Sequence, residues 1–254
     1  MKTRIIRTTK IRLNNGFTLL ELLIAISIFA VLATMVYSTF NAVLSKTDSI
    51  KQETAVNEMA ATCLSRISMD LQTLYVEQYP LYKQPDYDDD PDTYRFVGEI
   101  DHTGGEQFPS LRFVSTEHLP MSGPEAGASV DGKAIQPALS VIEYHVDKAG
   151  DEEPYSGYVL KRADNPWPYD DSGLESDPEK DPVLLTGIKE LEFTYLDKEG
   201  NEFETWDSES DNVDYATPHA VHVSMKISIE KREHQFSTRI ILPVYREPLK
   251  RVKQ

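Results

Sequence analysis

Cysteine is almost missing from this 254-residue chain: Cys63 is the single one. No intramolecular disulfide can form, so packing alone has to hold the fold. Proline and glycine are missing from Phe17 to Leu74. A run without breakers favours one continuous helix, and at ~1.5 Å per residue it would measure roughly 85 Å. Basic residues are scarce: 26 Lys and Arg stand against 42 Asp and Glu, for a formal charge of −16. That balance argues against a phosphate-binding surface and excludes nucleic acid as the expected partner. Enzyme signatures are missing as well. There is no Gly-x-Ser-x-Gly, no phosphate loop and no HExxH, which are the motifs that would carry hydrolase, nucleotide or zinc chemistry. His219 and His222 are three apart and fall on opposite faces of a strand, a poor metal pair. The remaining histidines are scattered, and we read the chain as non-enzymatic.

What is present begins at the N-terminus. Lys2, Arg4, Arg7, Lys10 and Arg12 precede an apolar run from Phe17 to Phe40. The run is long enough to cross a bilayer as a helix, which takes ~20 residues. Lys and Arg before it and acid after it place the N-terminus in the cytoplasm and the bulk outside. One carboxylate, Glu21, interrupts it. A lone acid in hydrocarbon costs roughly 2.5–3.5 kcal/mol on the lenient insertion scale, so it needs a partner. The α-amine of Phe17 supplies one if the chain is cut between Gly16 and Phe17. Glu21 then lies four residues on, about 6 Å along a helix and on the same face. An ordinary secretory signal, cut after Val31-Leu32-Ala33, shares the basic head and apolar middle. It leaves the length of the run and Glu21 unexplained.

The Lys/Arg-rich leader, Gly16, Phe17-Thr18-Leu19, Glu21 and the apolar helix resemble the class III signal of type IV pilins and type II secretion pseudopilins. The resemblance implies an inner-membrane prepilin peptidase that cuts after Gly16 and methylates the Phe17 amine. It also implies that Glu21 is the registration charge that meets a neighbour's amine during assembly. Removing the leader's five cations takes the formal charge from −16 to −21, so the mature chain is strongly acidic.

Beyond the apolar run the helix turns amphipathic. Val56, Met59, Ala60, Cys63, Ile67, Leu71 and Leu74 recur at three- and four-residue steps, while Lys51, Glu53, Glu58, Arg66 and Gln72 fall mostly elsewhere. This half should lay one face, with Cys63 on it, against a core. Tyr79-Pro80 is expected to close the helix. An acidic insertion follows at Asp86–Asp92, and then extended segments. Expected strands are Tyr94–Ile100, Leu111–Ser115, a hairpin of Leu139–Val146 with Tyr155–Arg162, Val183–Leu196, Glu202–Trp206 after the turn at Asp197–Asn201, Ala220–Ile229 and Gln235–Leu242. Pro120–Gln136 and Asn165–Pro182 read as loops. The fold class is therefore α+β, a long N-terminal helix packed on an antiparallel sheet head. The expected divisions are a leader at 1–16, a membrane or filament-core helix at 17–40, an amphipathic stem at 41–78 and a β-rich periplasmic head at 79–254.

The C-terminal half sharpens the resemblance. Leu184–Ile188, Leu191–Asp197, Gly200, Trp206, Pro218 and Ala220-Val221 look like the J-type minor pseudopilins of type II secretion, as does an arginine, Arg162, ending the second strand of the hairpin. The resemblance implies the tip of a periplasmic pseudopilus, next to the I and K minor pseudopilins and linked through H to the major one. It adds the prepilin peptidase and the inner-membrane secretion platform as partners. A minor pilin of a type IV pilus shares the N-terminal logic, and a membrane-anchored periplasmic binding domain that never assembles is the reading of another class. Asp88, Asp90, Asp92 and Glu99 occupy positions 1, 3, 5 and 12 of an EF-hand-like count and are the weak calcium candidates. Position six is Thr93 instead of glycine, and no flanking helix pair is readable. Together with the second acidic cluster, Asp207, Glu209, Asp211 and Asp214, they read as solvated loops, and no cofactor is expected.

Overall fold

The structure, a computed structural model, describes residues 17–85, 92, 94–116, 129–130, 133–134, 139–149, 157–165, 180–229 and 232–249. The chain divides into two compact units, Met1–Thr54 and Ala55–Gln254. The single α-helix among the described residues, α1 (Leu19–Gln72), runs through the boundary.

From Leu19 to Phe40, within the first unit, α1 is apolar on every side apart from Glu21. Phe17, Leu20, Ile24, Phe29, Leu32, Val36 and Phe40 are all exposed. Among the described residues α1 is also the one helix long and apolar enough to cross a membrane. Three of its hydroxyls bond back within the helix. Ser27 Oγ donates to the Leu23 carbonyl at 2.8 Å, and Thr34 and Thr39 donate to Ala30 and Met35 at 2.9 Å. Lipid offers no alternative partner, so this back-bonding lets the run tolerate polar side chains.

In the second unit the remainder of α1 is amphipathic. Val56, Ala60, Cys63, Ile67 and Leu71 are buried on one stripe, as their spacing predicts. They lie against a curled, nine-stranded sheet in which every strand pairing is antiparallel. The strands are β1 (Val97–Thr103), β2 (Glu106–Ser115), β5 (Ser140–Lys148), β6 (Tyr158–Asn165), β7 (Val183–Leu196), β8 (Glu202–Phe203), β9 (Trp206–Asp207), β10 (Ala220–Ile229) and β11 (Arg232–Ile241). A separate two-residue pair, β3 (Ser129–Val130) and β4 (Lys133–Ala134), falls within the expected Pro120–Gln136 loop. Neighbours in the large sheet run β11-β10-β7-β6-β5-β2-β1-β9, with β8 on β7. This is the expected α+β, pseudopilin-like fold.

Period-two burial is clearest in β10. Val221, Val223, Met225 and Ile227 are buried, while His222, Ser224 and Lys226 are half exposed. The aromatic core joins Phe113 to Tyr144 and to Phe96, with ring centroids 6.4 and 6.1 Å apart. Trp206 Nε1 donates to the Ala216 carbonyl at 3.0 Å, satisfying its one polar atom.

Three expectations need correction. The expected strand Glu202–Trp206 divides into β8, paired with β7, and β9, paired with β1. The helix ends at Gln72, well before Tyr79-Pro80. The sheet takes the chain over: Leu74 bridges Ser115, and the Tyr75 N–H donates to the Val114 carbonyl at 2.9 Å. Leu111–Ser115 is only the end of a longer β2, which turns back from β1 through Gly104 and Gly105. Both glycines have positive φ, 62° and 93°, the region where a Cβ is disfavoured. Pro109 sits where β2 is paired to β1 alone, so its missing N–H interrupts no second ladder.

Candidate functional site

The local chemistry of the N-terminal motif starts at Thr18. Leu19 is the first helical residue, so Thr18 is the N-cap and Glu21 the third residue of the helix. Thr18 Oγ1 accepts from the Glu21 N–H at 3.2 Å, and the Thr18 carbonyl accepts from the Leu22 N–H at 3.2 Å. Thr-x-x-Glu is the capping-box pattern, and its carboxylate sits at the positive end of the helix dipole. Glu21 therefore has a favourable local setting before any partner arrives. Thr18 is more than a motif residue, because its side chain sets where α1 begins. Phe17 precedes the cap and is 79 % exposed, and Glu21 is exposed beside it. Gly16 and the basic leader lie outside the described residues.

Residues 11–37 match the family model of the prokaryotic N-terminal methylation motif. The chain is type IV pilin-like. It carries this motif at the head of a long helix, followed by a pseudopilin-like α+β head. None of the curated proteins compared matches the chain.

Sequence reasoning missed a second site of interest, a buried ionic cluster in the second unit. Asp70 on α1 is 1 % exposed and Arg162 on β6 is 0 % exposed. Arg162 Nε donates to Asp70 Oδ2 at 2.7 Å and its Nη2 to Oδ1 at 3.3 Å. Arg66 Nη2 is 2.6 Å from Asp70 Oδ1, and Tyr144 Oη donates to Oδ2. Arg162 Nη1 reaches Asp164 Oδ2 at 2.9 Å, and Ser140 donates to that same carboxylate. Burial works against the Arg162 charge, but the hydrogen bonds it donates to Asp70 and Asp164 outweigh it and hold its pKa above the usual range. Burial first, then the charge of Asp70, pushes Tyr144 upward. The cluster ties the helix to β5 and β6 at one point in an otherwise apolar seam. Such pairs add register more than net stability. Arg162 stood out in the sequence as an arginine expected to end its strand, but β6 runs on to Asn165 and places Arg162 inside it. Asp70 carried no signal, because one aspartate beside an apolar stripe reads as a solvated residue.

Cys63 is 1 % exposed, and burial pushes its thiol up to about 12. It is a packing residue and a poor nucleophile.

Of the calcium candidates, Asp88 and Asp90 lie outside the described residues. Asp92 Oδ1 accepts from the Tyr94 N–H at 2.9 Å, while Glu99 stands exposed in β1 opposite Ser110. In the second acidic cluster, Asp207 pairs with Arg95 at 3.0 Å, and Glu209 accepts from the Asp92 N–H at 3.1 Å. Asp211 opens a short 3₁₀ turn, Asp211–Val213, capped by Ser210. Among the described residues no group of three His, Cys, Asp or Glu is placed to hold a metal ion.

Proposed function

We propose that this chain is a minor pseudopilin of the J type, acting at the tip of a type II secretion pseudopilus. The observation that carries the reading is Glu21, the one acid of the apolar run, at the third position of a helix capped by Thr18 immediately after Phe17. Cleavage after Gly16 would create an amine beside that carboxylate, and methylation would keep its positive charge. In the membrane the two groups neutralise each other within one chain. In a filament Glu21 reaches the amine of a neighbour, which fixes axial register. Helices exposed on every side, as α1 is from Leu19 to Phe40, then pack on one another once out of lipid.

On this reading the chain is single-pass, with its N-terminus in the cytoplasm and its head in the periplasm. Its partners are the I and K minor pseudopilins, with H linking to the major one, together with the prepilin peptidase and the inner-membrane platform. The tip primes filament assembly, and the filament supports export of folded proteins through the outer membrane. The role is structural, without catalysis. The assignment to J rests on the C-terminal pattern from Leu184 to Val221 and on Arg162.

The test is assembly. Gly16→Val should leave an uncut precursor on a gel, while Glu21→Ala should be cut normally but co-purify poorly with partner pseudopilins. A precursor processed normally despite Gly16→Val overturns the reading. A minor pilin of a type IV pilus is the second reading, favoured by the matched motif, which is not specific to secretion. Deletion separates the two: loss of secretion with intact twitching supports the first, and the converse supports the second.

A further inference from the structure

The curled sheet of the second unit has a gap in its ladder. On the side away from β10, β7 pairs with β6 as far as Ile188 and with β8 from Tyr195. Between them, Lys189–Thr194 has no strand neighbour on that side among the described residues. Alternation along an antiparallel ladder shows which backbone groups face the gap. The Asp197 N–H donates to the Asn201 carbonyl on the β8 side at 3.2 Å. The same direction then recurs at Tyr195, Phe193 and Leu191. The N–H and C=O of Leu191 and Phe193 thus point into the gap, although their side chains are buried in the core.

The gap is the wall of a cleft of about 800 Å³, with the arm of the β1–β2 hairpin opposite. The Ser208 N–H donates to the Phe96 carbonyl at 2.9 Å, so alternation turns the backbone of Ile100 and His102 outward from β1 too. Both residues line this cleft. Ile100 is 41 % exposed, an uncovered apolar side chain. Glu106, Glu190, Glu192 and Glu204 stand around the opening. Lys226 neutralises Glu190 and Glu233 takes Lys189. Glu106, Glu192 and Glu204 have no ion pair among the described residues.

We infer that this cleft accepts an extended, basic segment of another polypeptide as an added strand along β7 between Lys189 and Thr194. Backbone pairing with Leu191 and Phe193 supplies the affinity. The pleat then sets alternate side chains of the guest on the face that carries the unpaired Glu192, so lysine or arginine at every second position is selected. The acidic rim excludes nucleic acid and acidic peptides. The inference does not depend on the pseudopilin reading, since it uses only the second unit.

The full chain in detergent provides the test. In the free protein, the amides of Leu191 and Phe193 should exchange with deuterium far faster than those of Val223 and Met225, which lie in a strand flanked on both sides. A labelled heptapeptide alternating lysine with valine should bind by fluorescence anisotropy and protect the Leu191 and Phe193 amides. A central proline in the peptide, which removes a backbone donor, should weaken binding at least about tenfold. The combined surface changes Glu192→Lys and Glu204→Lys should do the same without moving the thermal midpoint. Amides already protected in the free chain, absence of binding at millimolar peptide, or equal binding of the proline peptide would each overturn the inference.

Discussion

At the scale of single residues, two buried positions carry opposite lessons. Asp70 faces Arg66, Arg162 and Tyr144 in the same small volume. Removing it leaves buried guanidinium groups without their shared carboxylate, the expensive half of breaking a buried pair. Asp70→Ala should therefore cost ~3–5 kcal/mol in a urea titration of the detergent-solubilised chain. A loss within ~0.5 kcal/mol, as expected of a surface change, would mean the cluster is dispensable. Cys63 has no such partners, only burial, and its thiol is pushed up to about 12. Raising an acid's folded pKa keeps it protonated through neutral pH, so the reactive thiolate is withheld. Cys63 should resist a maleimide at pH 8 in the native chain and label fully in denaturant. Fast native labelling would place it on the surface.

At the scale of elements, α1 combines two environments in one helix. From Leu19 to Phe40 its large side chains are exposed on every face; from Val56 to Leu71 one stripe is buried. Ala60 and Ala61 make a direct comparison, the first 0 % exposed in the seam and the second open to solvent. Ala60→Leu should lower stability by about 1–3 kcal/mol through overpacking, whereas Ala61→Leu should change little. Equal effects would contradict the assigned face. That face was legible because apolar residues at three- and four-residue steps leave little freedom of reading. β7 and β10 were legible to the residue, since a clean apolar alternation ends at identifiable turn signals on each side. The ends of α1 and β2 were not. The helix stops where Leu74 and Tyr75 bond to β2, and β2 extends to where Gly104 and Gly105 let it turn. Each boundary depends on a strand distant in sequence. The Asp70–Arg162 pairing was hidden for the same reason, because charge patterns along a chain do not reveal which charges meet in the interior. In the N-terminal motif the spacing of Phe17 and Glu21 was readable. The capping bond from Thr18 needed the geometry.

At the scale of the whole molecule, one helix serves two surroundings in turn under the proposed function. On that reading it first spans a membrane and then packs among like helices in a filament. The head is joined to the same helix by an apolar stripe and a single charged cluster, and its sheet leaves part of β7 unpaired. All of this presupposes that the basic leader is removed and that Phe17 becomes the N-terminus, for otherwise Glu21 lacks its partner. Intact-mass measurement with N-terminal sequencing of the chain extracted from its native membranes tests that directly. The expected chain begins at N-methylated Phe17. A chain that retains Met1, or one that begins after Ala33, would contradict the proposed function.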